Sequence, residues 1–443
     1  MGDGNRWSPA FAGMTSVVFV LAFLLQLPLV LAPGYFSHDE LQWAWRAGVV
    51  DMVPWWDDRT TFQFRPLTFN LWMALSRGLF DTPRVFHAAL VAWGSANAAL
   101  ACGVGRRFGM APATAAVGAL AFVLTPYAAY THGWVATIAD LAWVTCALLL
   151  AWCVLRFERR ASIALAAFVV ALVAMFAKEA AAATPVLCLV AWDFDPARRG
   201  RWAATTLASG AAVALFLAWR LPALLHAPRD GGALYVPSLA NVPLRWLEYQ
   251  VFLPMVPRLE AHTVWSRPAL AFACGTLWLA MLMAVWRTGP RLAWLYVTGS
   301  LAALAPVLVL GLAANHYAYA FAALAAMCVA AAWPAASRPA RVAIGAFALA
   351  TALHGIAVML QVHAVARVQS VFSPRLADVV STHRGAFPVR LVVARDARPW
   401  IFQRLTHQVP AYKGQPIGDR VRIVEAGEPA DYVVRADGRI EAR

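Results

Sequence analysis

The sequence predicts an all-α polytopic membrane protein with a small soluble α+β appendage at its carboxyl end. Of its 443 residues, 61% are apolar and 14% are charged, and the mean hydropathy is +0.60, values that exclude an ordinary water-soluble domain of this size. Apolar runs long enough to cross a bilayer recur through residues 1–368, which we take as one membrane domain. Residues 369–443 have the composition of a small soluble domain.

The apolar runs predict about eleven membrane-spanning helices. They cover approximately residues 14–33, 84–105, 113–130, 134–155, 161–177, 179–194, 202–222, 268–286, 292–313, 316–336 and 342–364. The first run is longer than a signal-peptide core and ends without a clear cleavage site, so we expect a retained anchor. The two runs that meet at Lys178 and Glu179 are short, which also fits a helical hairpin with its turn at one membrane surface.

The net charge of +14 arises from small basic clusters in alternate connections between the runs. This distribution is typical of a topology signal and not of a nucleic-acid interface. It predicts a cytoplasmic amino terminus, an extracytoplasmic carboxyl terminus, and outer loops at residues 34–83 and 223–267. The six cysteines all lie inside apolar runs, so we expect buried thiols, without disulfides or a zinc site.

Two outer segments have recognisable local patterns. The first outer loop is rich in aromatic residues, which favours one or two interfacial helices, and the residues concerned are Trp43, Trp45, Trp55, Trp56, Phe62 and Phe64. In the appendage, the stretches VRLVVARD and DYVVRADGRIEA alternate as strands do, and DARPWIFQRLTHQV between them predicts a helix.

Ionisable and aromatic residues from five separate segments are predicted at the same outer membrane surface. They are Asp39, Glu40, Arg65, His132, Asp140, Lys178, Glu179, His316 and Tyr317. A pocket for an anionic, lipid-linked substrate needs cations for phosphate oxygens and a carboxylate that takes a proton from an acceptor hydroxyl. The set therefore predicts an active site at this surface.

Each position is also consistent with a structural role when taken alone. Asp39 and Glu40 follow Ser37 as in a helix cap, and Arg65 could anchor the helix that begins at Pro66. Lys178 and Glu179 could form an ion pair with each other. His132 could be an interfacial packing residue, and His316 and Tyr317 could belong to an aromatic belt. The prediction of a site rests on the order and spacing of these residues along the chain.

Five segments resemble the GT-C glycosyltransferase superfamily, and in particular the tetratricopeptide-linked mannosyltransferase group and its bacterial relatives. They are SHDE, FRPLTFNLWMALSRGLFDTPRVFHAAL, PYAAYTHGWVATIADLAWV, MFAKEAAAATPVL and ANHYAYAFAAL, in that order over about residues 14–335. The chain departs from that group at Asn315, where an acidic-basic pair usually precedes the tyrosine, and it has no 34-residue repeats after the membrane domain. Protein O-mannosylation is therefore not implied.

The resemblance implies a GT-C fold and an enzyme that transfers a sugar, with inversion, from a polyprenyl-phosphate donor to a cell-envelope glycan, lipid or protein. Asp39 is then the general base and Glu40 its partner or substitute. Arg65 and Lys178 bind the donor phosphate, and Glu179 holds Lys178. His132 and Asp140 match recurring positions, and His316 with Tyr317 contacts phosphate or sugar, in a bacterial inner membrane with the site outside.

Two questions stay open at this stage. Asp39 and Glu40 could hold a divalent metal ion, although a metal-independent and cofactor-free reaction is favoured because no second acidic cluster is evident. The alternative functions are an envelope polysaccharide ligase or polymerase and a lipid-linked-sugar flippase or transporter. The donor sugar, the acceptor, the polyprenyl length and the oligomeric state are not encoded in any pattern that we recognise.

Overall fold

The computed structural model describes residues 9–55, 63–226 and 235–443. In this part of the chain the helices are α1 (Pro9–Leu25), α2 (Leu27–Val30), α3 (His38–Val49), α4 (Pro66–Leu79), α5 (Pro83–Arg107), α6 (Pro112–Val123), α7 (Pro126–Gly133), α8 (Ile138–Arg156), α9 (Arg160–Ala177), α10 (Thr184–Phe194), α11 (Arg199–His226), α12 (Val242–Phe252), α13 (Pro268–Thr288), α14 (Pro290–Leu308), α15 (Tyr319–Ala332), α16 (Arg338–Thr382) and α17 (Pro399–Thr406). Short 3₁₀ turns precede several of them, at Val135–Thr137, Glu179–Ala183, Pro196–Arg198 and Asn315–Ala318.

Eight helices of the described residues are long and apolar enough to cross a membrane, and a ninth span is formed if the bent pair α6–α7 is included. The chain therefore has the architecture of a multi-pass membrane protein in a lipid bilayer. The expected number of about eleven spans is not confirmed by the described residues. Three of the apolar runs, at residues 14–33, 113–130 and 179–194, are not continuous membrane-spanning helices. Each is interrupted by a polar residue or a proline, and an average of hydropathy over the run does not detect such a single residue.

The interruptions have local causes. Gln26 separates α1 from α2, and its side-chain amide donates a hydrogen bond to the Val123 carbonyl over 2.7 Å. Pro126 begins α7 after the N-cap Thr125, and the two helices on either side are bent by 60°. Lys178 has extended backbone, so the expected span at 179–194 is a 3₁₀ turn followed by the 11-residue helix α10.

The bend between α6 and α7 is packed closely against α16. A β-carbon built on Gly355 would lie only 1.8 Å from the Leu124 carbonyl oxygen, so only glycine fits where α16 crosses the bend. Such a close approach of two backbones is one of the uses of glycine inside a helix.

The described part of residues 34–83 contains two helices, α3 and α4. Trp43 of α3 stacks on Phe69 and Trp72 of α4, with ring centroids 4.5 and 4.8 Å apart. This stacking joins the two helices, and Trp43 is one of the aromatic residues that the sequence analysis singles out in this segment. Trp56 and Phe62 lie outside the described residues.

Helix α16 is 45 residues long and continues to Thr382, past residue 368 where the sequence analysis places the domain boundary. The small α+β unit begins after this helix. Its sheet consists of β4 (Val421–Val424), β1 (Val389–Val393), β5 (Tyr432–Val434) and β6 (Ile440–Ala442), in that order, and β2 (Ala411–Tyr412) pairs with β3 (Gln415–Pro416). The strands β1, β5 and β6 and the helix α17 lie where the sequence pattern predicts them, whereas β2, β3 and β4 are not predicted.

The carboxyl-terminal unit is docked on α3. The Gln42 side chain of α3 donates hydrogen bonds to the carbonyls of His407 and Gln408, each over 3.1 Å. These hydrogen bonds bring α17 to the mouth of a cavity in the membrane domain. Nearby, the Gln369 side chain of α16 accepts a hydrogen bond from the Tyr35 backbone amide over 2.8 Å and so joins α16 to the segment before α3.

Candidate functional site

A polar cavity of about 380 Å³ lies where the helices α3, α4, α8 and α17 meet the turns that contain Lys178 and His316. Its ionisable lining consists of His38, Asp39, Arg65, Asp140, Lys178, Glu260, His262, His316 and Arg404. The basic residues that end α5 and α8 and begin α14 and α16 lie at the other ends of the helices. The cavity therefore brings together six of the nine residues that the sequence places in a site, namely Asp39, Arg65, Asp140, Lys178, His316 and Tyr317.

Asp39 presents its carboxylate to the cavity from the first turn of α3. Its side chain is 28% exposed and accepts a hydrogen bond from the Ser37 hydroxyl over 3.1 Å. His38 Nε2 lies 3.7 Å from the other carboxylate oxygen, and burial lowers the pKa of this histidine. Asp39 is thus a carboxylate that is accessible from the cavity and not committed to a cation.

Glu40 does not line the cavity, contrary to the expectation that it assists Asp39. Ser37 is the N-cap of α3, and Glu40 completes a capping box by accepting the Ser37 backbone N–H over 3.0 Å. The other carboxylate oxygen accepts the Val135 N–H over 3.2 Å. Burial, followed by the neighbouring Asp39 charge, raises the pKa of Glu40 to about 8. Its position is that of a buried structural cap.

Lys178 and Asp140 form a buried ion pair in the floor of the cavity. The ammonium lies 2.6 and 2.5 Å from the two carboxylate oxygens, and the side chains are only 2% and 1% exposed. Asp140 is in the first turn of α8, and Lys178 reaches it from the extended break after α9. Burial lowers the pKa of Lys178 to about 8, and the Asp140 charge opposes that shift. The ammonium also lies 4.9 Å from the centre of the Tyr317 ring.

Arg65 pairs with Glu179, so Glu179 does not hold Lys178 as expected and the two neighbours do not pair with each other. The Arg65 Nε donates to Glu179 Oε2 over 2.7 Å, and the arginine side chain is 17% exposed. Arg65 immediately precedes Pro66, which begins α4 and fixes its direction. The terminal guanidinium nitrogens of Arg65 have no hydrogen-bond partner among the residues that the structure describes.

His132 lies outside the cavity lining and is fully buried between helices. Its Nδ1 lies 2.6 Å from the Gln26 side-chain oxygen, and its Nε2 lies 2.8 Å from the Tyr319 hydroxyl. Both ring nitrogens are therefore satisfied by hydrogen bonds within the bundle. This environment agrees with a role for His132 as a packing residue. It does not agree with a contact between His132 and a substrate.

Polar groups without partners surround the cavity. His316 Nδ1 and the indole N–H groups of Trp134 and Trp72 are buried and make no hydrogen bond within the described parts of the chain, although all three residues line the cavity. The His316 ring packs edge-on against Trp134 and against Tyr317, with centroids 5.3 and 4.4 Å away. Buried polar groups in native proteins nearly always have a partner, so these atoms favour a polar ligand in the cavity.

Arg404 is the functional candidate that the sequence analysis misses. It extends from α17 into the cavity, where it donates to Ser37 Oγ over 3.1 Å, to Glu260 over 3.1 Å and to the Tyr130 hydroxyl over 3.3 Å. Its guanidinium also lies 4.4 Å from the centre of the Phe36 ring. No local signal marks this arginine, because the appendage contains many arginines and only the docking of α17 selects this one.

The charges in the cavity lining balance. The lining contains three cations, Arg65, Lys178 and Arg404, and three carboxylates, those of Asp39, Asp140 and Glu260. Glu179, which pairs with Arg65, lies outside the lining. An anionic ligand therefore has to be bound by N–H groups that the ion pairs leave uncommitted. The terminal nitrogens of Arg65 are such groups, and Nδ1 of His316, which has no partner, is another in the tautomer that carries the ring proton there.

The described residues contain no group of three or more His, Cys, Asp or Glu side chains that could hold a metal ion. Asp39 and Glu40 are the expected candidates for a metal site, but their carboxylates lie in different environments. Asp39 lines the cavity, whereas Glu40 accepts a hydrogen bond from the Ser37 backbone N–H.

No protein-family model, curated protein or solved structure matches this chain. The fold and the site define its class as a helical multi-pass membrane protein with a polar cavity at one end of its helices, closed in part by a carboxyl-terminal α+β unit.

Proposed function

We propose that this protein is a glycosyltransferase of the membrane that takes a sugar from a polyprenyl-phosphate donor and transfers it to an envelope glycan, lipid or protein. The reaction takes place on the extracytoplasmic face of a bacterial cytoplasmic membrane, and the fold belongs to the GT-C type. The observation that carries the proposal is an accessible carboxylate, Asp39, in the same cavity as an arginine, Arg65, with uncommitted N–H groups.

Each step can be assigned to a group in the cavity. Asp39 takes the proton of the acceptor hydroxyl, and the acceptor oxygen attacks the anomeric carbon from the face opposite the phosphate. The bond between that carbon and the phosphate oxygen breaks, and polyprenyl phosphate leaves with the electron pair, so the configuration inverts. Arg65 and His316 donate hydrogen bonds to the phosphate, whose charge grows as it leaves.

The ion pair of Lys178 with Asp140 serves positioning in this mechanism. It holds the break after α9 against the start of α8, and the Tyr317 ring lies over the ammonium. The positive side of the pair adds to the electrostatic potential at the phosphate. In the same way, Arg404 links the carboxyl-terminal unit to Glu260 and closes the wall next to Asp39.

Binding of polyprenyl phosphate without a sugar is the first test, because every donor of this class shares that part. In lipid nanodiscs, Arg65→Gln is expected to weaken binding about tenfold or more, since charge-assisted hydrogen bonds are lost. Arg46→Gln is the matched control, because Arg46 lies exposed in the same outer loop and outside the cavity. Wild-type protein that does not bind polyprenyl phosphate would contradict the proposal.

Sugar transfer from a panel of polyprenyl-phosphate sugars to envelope extract is the second test. Asp39→Asn keeps the size of the side chain and removes the base, so the rate is expected to fall about 10²- to 10⁴-fold without a change in thermal unfolding. Asp51→Asn is the control, since Asp51 is an exposed carboxylate of the same loop. Full activity in the Asp39 variant would remove this residue from the mechanism.

A further inference from the structure

A second concave site lies at the opposite end of the helices, between the end of α10 and the beginnings of α11 and α14. It has a volume of about 140 Å³ and is lined by Val190, Asp193, Phe194, Arg199, Arg291, Trp294, Leu295 and Thr298. Helix α10 begins near Lys178 at the candidate site and ends here, so the length of that helix separates the two cavities. The proposed sugar transfer does not use this groove.

Two guanidinium groups from different helices meet in the groove. Arg199 lies with its Cζ 5.0 Å from the centre of the Trp192 ring, and Arg291 donates to the Phe194 carbonyl over 3.2 Å. Both arginines are exposed, and neither forms an ion pair with any carboxylate of the described residues. Their aromatic and backbone contacts hold the two cations in place and leave several N–H groups free.

Asp193 is the single carboxylate in the lining of this groove, and it is exposed. Two cations against one anion leave the lining with a net positive charge. Thr298 uses its hydroxyl hydrogen within its own helix, where it donates to the Trp294 carbonyl over 2.8 Å. The groove is therefore suited to an anion that accepts hydrogen bonds from arginines.

The surroundings of the groove are apolar and face outward from the bundle. Trp294 is 56% exposed and Leu189, one turn back on α10, is 51% exposed. Arginine and tryptophan side chains at the ends of membrane-spanning helices lie at the depth of lipid headgroups. An amphipathic ligand can thus place its charged group in the groove and its apolar chain along α10 and α14.

We propose that this groove binds the headgroup of an anionic phospholipid of the phosphatidylglycerol class. The phosphate accepts hydrogen bonds from Arg199 and Arg291, and the acyl chains lie against Leu189, Leu295 and the ring of Trp294. Basic pockets between membrane-spanning helices are a recurrent form of such lipid sites. The apolar wall favours a lipid over free phosphate, and the net positive charge favours an anionic headgroup over a zwitterionic one.

Native mass spectrometry of the full chain tests the proposal, with protein from bilayers of equal parts phosphatidylglycerol, phosphatidylethanolamine and phosphatidylcholine. Wild-type protein is expected to retain phosphatidylglycerol preferentially. The double variant Arg199→Gln/Arg291→Gln is expected to lose this retention about tenfold or more, with the small retention of phosphatidylcholine unchanged. The matched control Arg338→Gln/Arg341→Gln removes two arginines that begin α16, outside the groove, and is expected to behave as wild type.

Asp193→Asn distinguishes the headgroups without removing a cation. It is expected to increase phosphatidylglycerol retention, because a repulsive charge is lost next to the phosphate. Loss of phosphatidylethanolamine retention in this variant, with phosphatidylglycerol unaffected, would overturn the proposal in favour of an ethanolamine site. Equal loss in the groove and control variants would also overturn it, as would displacement of the lipid by millimolar inorganic phosphate. None of these results depends on transferase activity.

Discussion

The buried pair of Lys178 and Asp140 should behave as one unit in the stability of this protein. Its side chains are 2% and 1% exposed, so water cannot solvate a charge that loses its partner. Removing one partner of such a pair costs about 3–5 kcal/mol, whereas replacing both with apolar or neutral groups of similar size costs much less. We therefore expect Asp140→Asn and Lys178→Met each to destabilise the protein strongly, and the double variant to be more stable than either.

The effect of pH distinguishes the two single variants. In Asp140→Asn a lone ammonium remains, and its pKa should fall further below 8 because the Asp140 charge that raises it in the wild type is gone. Lys178 then loses its proton at a lower pH than in the wild type, so the cost of this variant relative to the wild type should decrease as the pH rises toward 8. In Lys178→Met a lone carboxylate remains, which a higher pH cannot neutralise, so its cost should not decrease.

Reversible unfolding in mixed detergent micelles, followed by the fluorescence of the 20 tryptophans, measures these free energies. Asp378→Asn is the control, because Asp378 and Arg375 form an exposed pair at 3.8 Å that should contribute almost nothing. Single variants that each cost less than about 1 kcal/mol, or a double variant whose cost is the sum of both, would refute the buried, coupled pair.

Three further predictions follow from single positions. The pKa of Glu40 is raised to about 8, so the folded protein holds a proton that the unfolded chain releases from about pH 4.5 upward. The free energy of unfolding should therefore fall between about pH 5 and pH 8. Thermal unfolding of Glu40→Gln should depend less on pH than that of the wild type. Under the proposed function, loss of the Lys178 proton above about pH 8 should raise the KM for the donor, and Lys178→Arg should remove that rise in a pH series of initial rates. Gly355→Ala should lower the free energy of unfolding by about 1–3 kcal/mol or more, because its β-carbon would meet the Leu124 carbonyl. Gly48→Ala is the control and should not lower it, because the space around Gly48 is open. Thermal unfolding of the two variants measures the difference.

Local patterns predict much of the fold because they depend on neighbours in the chain. The apolar runs give most of the spanning helices, and the period-two alternation gives β1, β5 and β6. The break between α1 and α2 is not predicted, because hydropathy averages over single polar residues such as Gln26. The hydrogen bond of Gln26 to the Val123 carbonyl depends on tertiary packing. The continuation of α16 to Thr382 is missed because the helix becomes less apolar there without ending.

The composition of the cavity is predicted better than its contacts. Membrane topology restricts residues such as Asp39 and His316 to one surface, so their convergence follows from the order of the segments. Partners within the cavity depend on tertiary packing: Lys178 bonds to a residue 38 positions away and Glu179 to one 114 positions away, although the two are adjacent. For the same reason no sequence pattern could identify Arg404, which is brought to the site by the docking of α17.

The most direct test of the central claim is the location of a bound donor. Cryo-electron microscopy of the protein in nanodiscs with a polyprenyl-phosphate sugar should place the phosphate within hydrogen-bond distance of the Arg65 guanidinium, with the sugar between it and Asp39. A donor bound with its phosphate elsewhere, and with the cavity around Asp39 and His316 filled only by solvent, would contradict the account.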